Sequence, residues 1–341
     1  MQSFPQPDLE IDAATQVTVI NSLIYELNDL YVFAEKAEKI EDYLRTSLNN
    51  NHYVAVKSFK TFAERLTHDL QSICKDKHLR VFYSSIPIPI RKEKLKPTPE
   101  EKRKAFEHIK RINFGFEKVE CLQGNIGYIN LRGFYDPEAG AGTVAAAMTF
   151  ISFTESLIFD LRQNGGGDPA MVALISSYLF DDEPIHLNDL YWRKKNITEE
   201  FWTKPQLVEK KFGLKDVYIL TSSNTFSGAE EFCYNLKNLK RATIIGDKTA
   251  GGAHPGEHVR LSEHFSAFIP TGRAINPITK TNWEGAGVEP DIKVPGEQAC
   301  KIAYIMALKK SVKMIKEKSM KDSLENLIKQ IQIELDAMKI H

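Results

Sequence analysis

The stretch that most limits how this chain can fold is Val217 to Gly252, VYILTSSNTFSGAEEFCYNLKNLKRATIIGDKTAGG. Val217 to Leu220 are four consecutive apolar residues, the pattern of a strand buried on both faces. A polar turn then leads into a helix, with Ala229, Phe232, Cys233, Leu236 and Leu239 at three- and four-residue steps along one inner face. Ser227 therefore falls where a packed helix meets the end of a buried strand. A serine there can be a nucleophile on a rigid element, with neighbouring backbone N–H groups aimed at the oxygen of the group it attacks. Ser227-Gly-Ala-Glu230 also has the S-x-x-E spacing of a capping box, and Thr225 is an alternative cap. This segment alone leaves capping and catalysis both open.

The flanking chain supplies a fold for that segment. Residues 12 to about 75 read as a small helical bundle: Val19, Leu23, Leu27 and Leu30 form one stripe, and Phe62, Leu66, Leu70 and Ile73 another. The charged segment Ala34 to Leu48 is a third helix between them. After the turn Asp76-Lys77-His78, the alternation of Leu79, Val81 and Tyr83 with Arg80 and Phe82 predicts a strand. Pro87 and Pro89 and the basic stretch Arg91 to Lys96 mark a connector over about 86–98, and Thr98-Pro99-Glu100-Glu101 starts a helix that runs to about Arg111.

From Ile126 onward, strands and helices alternate, as in an α/β core. Ile126 to Leu131 and Ser156 to Leu161 are strands, with a helix from Gly142 to Phe153 between them. Asn164-Gly165-Gly166-Gly167-Asp168-Pro169 is a glycine loop that opens the next helix. It lacks the G-K-[ST] ending of a P-loop and the order of a dinucleotide site, so its exposed N–H groups suit an oxyanion better than a phosphate. Ala242 to Gly246, Val259 to Leu261, Ala267 to Ile269 and Ile292 to Val294 are further strands, and amphipathic helices follow Glu297. The reading divides the chain into an N-terminal helical domain over 1–75, a core over 76–296 and a C-terminal helical segment over 297–341.

Lysine plus arginine equal aspartate plus glutamate at 45 each, so no positive field favours nucleic acid or an anionic membrane as partner. No apolar run is long enough to predict membrane insertion. Cys74, Cys121, Cys233 and Cys300 are far apart and form no C-x-x-C pair, which argues against a zinc ribbon or redox motif. Met1 to Glu10 is polar and contains proline, unlike a secretory signal.

Five segments together resemble the tail-specific, or C-terminal processing, serine peptidases of family S41. The resemblance is closest to the subgroup related to interphotoreceptor retinoid-binding protein and to the tricorn core protease. The segments are Asp76-Lys-His78, Asp160 to Gly167, Thr221 to Glu231, Gly246 to Gly252 and Glu284 to Asp291. The resemblance implies a crotonase-like β/α spiral core behind an N-terminal helical bundle, with no PDZ domain evident. It also implies an exported protein, the cytoplasm being the alternative location. Gly252 stands where many relatives carry a catalytic lysine, and Lys248 is displaced from that position, so a Ser–Lys dyad is not expected.

The tricorn-like arrangement assigns Ser227 as nucleophile, His78 as base and Glu284 as the carboxylate that orients the base. His254 is the rival base and Glu289 the rival orienter. Gly228 and Gly166 would donate to the oxyanion, with Gly165 as fallback, while Asp160 and Arg162 are read as structural. Imidazole titrates near neutrality and can take and return the serine proton, so this chemistry needs no cofactor or metal. The implied activity is hydrolysis of extended or unfolded polypeptides through an acyl-enzyme. The alternatives are a peptidase-fold protein that binds a retinoid or other apolar ligand and, further off, an acyl-CoA enzyme.

Overall fold

The computed structural model describes residues 7–90, 98–207 and 211–338; the basic stretch Arg91 to Lys96 lies outside the described residues. In chain order the first elements are α1 (Ala13–Leu30), α2 (Ala34–Asn49), α3 (Phe59–Cys74), β1 (Arg80–Tyr83), α4 (Pro99–Arg111), β2 (Phe116–Leu122) and β3 (Ile126–Leu131). There follow α5 (Pro137–Phe150), β4 (Ser156–Asp160), α6 (Pro169–Ser177), β5 (His186–Trp192), β6 (Ile197–Trp202), β7 (Asp216–Thr221) and α7 (Gly228–Asn238). The last are β8 (Thr243–Gly246), β9 (Gly256–Arg260), β10 (Phe265–Pro270), β11 (Gly272–Ile275), β12 (Ile292–Lys293), α8 (Gly296–Met314) and α9 (Lys318–Ala337). Two compact units result, and the chain passes between them more than once.

One unit gathers Met1–Thr98, Leu190–Glu199 and His254–Ile275. Two of its helices, α1 and α3, start at side-chain caps: the Asp12 carboxylate accepts the Thr15 N–H at 2.7 Å and the Ser58 hydroxyl accepts that of Thr61 at 3.0 Å. The expected stripes are buried, Val19, Leu23 and Leu27 on α1 and Phe62, Leu66 and Leu70 on α3. They share one core with Phe265, Ala267 and Ile269 of β10, the central strand of an antiparallel sheet ordered β1-β10-β9. Each such side chain contributes about 1.5–3 kcal/mol by leaving water.

The other unit gathers Pro99–Asp189, Glu200–Ala253 and Asn276–His341. Its six-stranded sheet runs β12-β8-β7-β4-β3-β2, parallel throughout except for β2, which is antiparallel to β3. On one face, Ile126, Ile158, Tyr218, Leu220 and Ile245 meet the alanines of α8, and α9 covers α8 through Leu324, Ile331 and Leu335. On the other face, Phe159 of β4 meets Phe232 of α7 edge-on, with centroids 5.3 Å apart. All five residues of β4 are buried, as a two-sided strand requires. Among the described residues no helix is long and apolar enough to cross a membrane.

Two differences from the sequence reading are instructive. The helix expected over Gly142 to Phe153 begins at Pro137, because Asp136 caps it by accepting the Glu138 N–H at 2.8 Å. Strands β2, β5, β6 and β11 were not anticipated; every residue of β6 is exposed or half-buried, so it carries no apolar signal. For function, the decisive feature is the edge where β4 and β7 end. These parallel neighbours pair Asp160 with Leu220, so the glycine loop and the Ser227 turn leave the sheet side by side.

Candidate active site

The turn from β7 to α7 is pinned along its length. Ser222 Oγ donates to the Arg162 carbonyl at 2.5 Å, Thr225 Oγ1 to the Leu161 carbonyl at 2.8 Å, and the Phe226 N–H to the Asn164 carbonyl at 3.1 Å. At its end Ser227 has φ of 56° and ψ of −124°, far from the extended conformation of an ordinary N-cap. A non-glycine residue held there stores about 1–3 kcal/mol, and the Ser227 side chain also takes part in a capping box with the backbone of Glu230.

Glu230 holds that conformation in place. Its carboxylate, fully buried, accepts the Ser227 N–H at 2.9 Å and the Gly252 N–H at 2.8 Å on Oε2. On Oε1 it accepts Thr249 Oγ1 at 2.5 Å and the Gly251 N–H at 2.6 Å. Burial pushes this carboxyl upward, against the four donors that favour its charge. The capping-box spacing is thus part of a larger network that ties the serine to Gly251 and Gly252.

The glycine loop packs directly on the same turn. At φ +100°, a Cβ on Gly166 would come within 2.6 Å of the Gly228 nitrogen and 2.7 Å of Ser227 Cβ, so only glycine fits. The Gly166 N–H, expected to donate to an oxyanion, is given to Asn164 Oδ1 at 2.8 Å. Gly167 takes its place as candidate: its nitrogen lies 2.9 Å from where a Gly228 Cβ would be. Among the described residues the N–H groups of Gly167 and Gly228 have no backbone acceptor, and Gly165 and Gly167 are both exposed.

The loop bearing Glu284 grips the same glycines. Trp283 Nε1 donates to the Gly252 carbonyl at 2.7 Å, the Gly285 N–H to the Gly251 carbonyl at 3.1 Å, and Glu284 Oε2 accepts the Ala253 N–H at 2.5 Å. Glu284 is half-buried, whereas Glu289 is exposed and pairs with Lys248 at 3.0 Å. Lys248 neutralises Glu289 first by hydrogen bond, and its carboxyl is lowered accordingly.

In the other unit, one buried carboxylate organises both histidines. Asp76 Oδ1 accepts the His78 N–H at 3.1 Å, and Oδ2 accepts His254 Nδ1–H at 2.7 Å and the Tyr31 hydroxyl at 3.1 Å. Asp76 and His254 are nearly inaccessible, and Phe33 packs edge-on to the His254 ring. Burial pulls the His78 imidazole down to about 4, with Asp76 opposing and His254 and Arg80 reinforcing the shift. Sequence reading placed Asp76 in a turn and missed this role, since His254 is 178 positions away.

Comparison with known proteins gives the family. Residues 125–294 match the model of peptidase family S41, and residues 13–122 match the N-terminal domain of peptidase S41 in eukaryotic IRBP. The chain belongs to peptidase family S41. A Staphylococcus haemolyticus (strain JCSC1435) protein named "Probable CtpA-like serine protease" is 26% identical over 208 residues, 58% of this chain and 39% of that protein. The "Carboxy-terminal-processing protease" of Bartonella bacilliformis is 26% identical over 181 residues, 51% of this chain and 39% of its own length. The matches thus span about two-fifths of these relatives. A Parabacteroides merdae ATCC 43184 crystal structure shares the fold, with TM-score 0.59 at 18% identity over 86% of this chain and 96% of that one.

Other residues of this S41 chain have plain structural duties. Arg162 and Asp160 form a two-bond ion pair, at 2.5 and 2.8 Å, that also receives the Tyr128 hydroxyl at 2.7 Å. Arg162 reaches on to the Gly296 carbonyl at 2.9 Å and so joins β4 to the start of α8. Cys233 is a buried core residue.

Proposed function

We propose that this S41 chain is a serine peptidase that cleaves extended or unfolded polypeptides through an acyl-enzyme. Ser227 Oγ attacks the scissile carbonyl carbon while His78 accepts the hydroxyl proton, and the carbonyl oxygen takes up the negative charge. The N–H groups of Gly228 and Gly167 stabilise that oxyanion, Gly165 being the alternative to Gly167. Collapse breaks the C–N bond as His78 returns the proton to the leaving amine; water, activated the same way, then releases the acid and regenerates the serine. Glu284, whose Oε2 accepts the Ala253 N–H at 2.5 Å, is the carboxylate assigned to orient the base, with Glu289 its rival.

The observation that carries the reading is the strained Ser227 backbone held by the Glu230 network beside a glycine-only wall. His78 is assigned as base because it ends the Asp76-Lys-His78 segment, and His254 is the rival. The test is hydrolysis of a reduced, alkylated protein substrate by the full chain. Ser227→Ala and His78→Ala abolish turnover on this reading, while His254→Ala lowers it less than His78→Ala does. Cleavage that survives Ser227→Ala ends the proposal.

One observation supports the second reading. A cavity of about 850 Å³ between the α8–α9 turn and the β2–β3 turn, lined in part by Met314, Ile315, Met320 and Leu324, is of a size that suits an apolar small molecule. Binding of a fluorescent fatty acid that Leu324→Glu abolishes and Ser227→Ala leaves intact favours that function; no saturable binding removes it.

A further inference from the structure

The Asp76 side chain joins the His78 turn to the His254 loop. Local geometry explains only half of its bonding: Asp76 Oδ1 accepting the N–H two residues on is an Asx-turn, which any Asp or Asn preceding a strand can make. The other oxygen does something a turn does not require. It takes two further donors, the His254 ring at 2.7 Å from a segment 178 positions away and the Tyr31 hydroxyl at 3.1 Å from the end of α1.

We infer that Asp76 is a positioning residue of the peptidase reaction, a buried carboxylate that fixes the backbone of His78 through one oxygen and the ring of His254 through the other. The inference rests on the peptidase reading above and adds to it the residue that sets where the base stands. A carboxylate can only accept, so it dictates that His254 presents Nδ1–H to it and fixes that ring's tautomer. Its charge also favours imidazolium at His78 as the serine proton arrives. The other polar groups around this site come from several elements: Cys74, whose sulfur accepts the Asp76 N–H at 3.4 Å, Lys36, which donates to the Cys74 carbonyl at 3.2 Å, and Arg80 on β1. Lys36 and Arg80 are cations, so the negative Asp76 opposes them at the imidazoles. Removing its charge while keeping its shape separates this role from the turn.

The experiment uses the full chain with isotope-labelled histidine. Asp76→Asn retains the Asx-turn acceptor and loses the charge; kcat falls at least 100-fold with KM within threefold, and the NMR titration of His78 moves to lower pH. Tyr31→Phe, which deletes one hydroxyl and keeps the ring, serves where the asparagine variant does not fold; it lowers kcat severalfold and displaces the His78 titration. Unchanged titrations and kcat within twofold in either soluble variant overturn the inference, leaving Asp76 as a turn residue. A wild-type chain without hydrolytic activity instead removes the peptidase reading, whatever the titrations show, so the two failures are distinct.

Discussion

Replacing Glu230 with glutamine separates a helix cap from a catalytic scaffold. Oε1 serves Thr249 and Gly251, and Oε2 serves Ser227 and Gly252, at 2.5 to 2.9 Å. Glutamine has nearly the same shape, so no cavity forms, but one of its two positions becomes an NH2 group facing two donors. Two hydrogen bonds to a charged acceptor are lost, each worth about 1.5–3 kcal/mol, and buried donors are left without acceptors. Removing a carboxylate that burial disfavours offsets part of this, which places the net loss at about 3 kcal/mol. A simple capping box predicts only about 0.5–2 kcal/mol. Urea unfolding of the intact chain reads the stability. The second readout is turnover: releasing Ser227 and Gly252 by even about 1 Å lowers kcat on the order of 100-fold. A Glu230→Gln protein that loses less than about 1 kcal/mol and keeps kcat within threefold would refute the reasoning.

Two further outcomes follow from the same geometry. Because Ser227 sits at φ 56°, ψ −124°, Ser227→Gly is expected to be at least as stable as Ser227→Ala and about 1 kcal/mol more so, both being inactive; denaturation midpoints that put alanine ahead contradict the strain. For His78, the folded chain refuses a proton until about pH 4 while the unfolded chain takes one near 6.5. Its share of stability is therefore complete above pH 6.5 and lost as pH falls toward 4, on the order of 3 kcal/mol, and the acid limb of kcat/KM lies near 4. His78→Gln should flatten the stability profile between those limits, and an unchanged slope counts against a buried neutral imidazole.

Much of this architecture was legible in the sequence because burial leaves a periodic trace. The stripes of α1 and α3, the unbroken apolar runs of β4 and β7 and the inner face of α7 each correspond to an element whose core side is dry. Strands such as β6, with no buried residue, leave no such trace. At the site, glycine content marks the loop but cannot say which N–H the neighbouring Asn164 consumes, and in the structure that is the N–H of Gly166. Glu230 announced itself as a cap because sequence spacing shows the local bond to Ser227 and hides those to Thr249, Gly251 and Gly252. Asp76 was hidden for the same reason, its main partner being distant in the chain.

The most direct measurement of the central claim is covalent trapping of the full chain with a fluorophosphonate, followed by intact mass and peptide mapping. The account predicts one adduct on Ser227, its rate cut by His78→Ala and by Glu230→Gln. A folded chain that gains no adduct, or that carries it on another residue, contradicts the account.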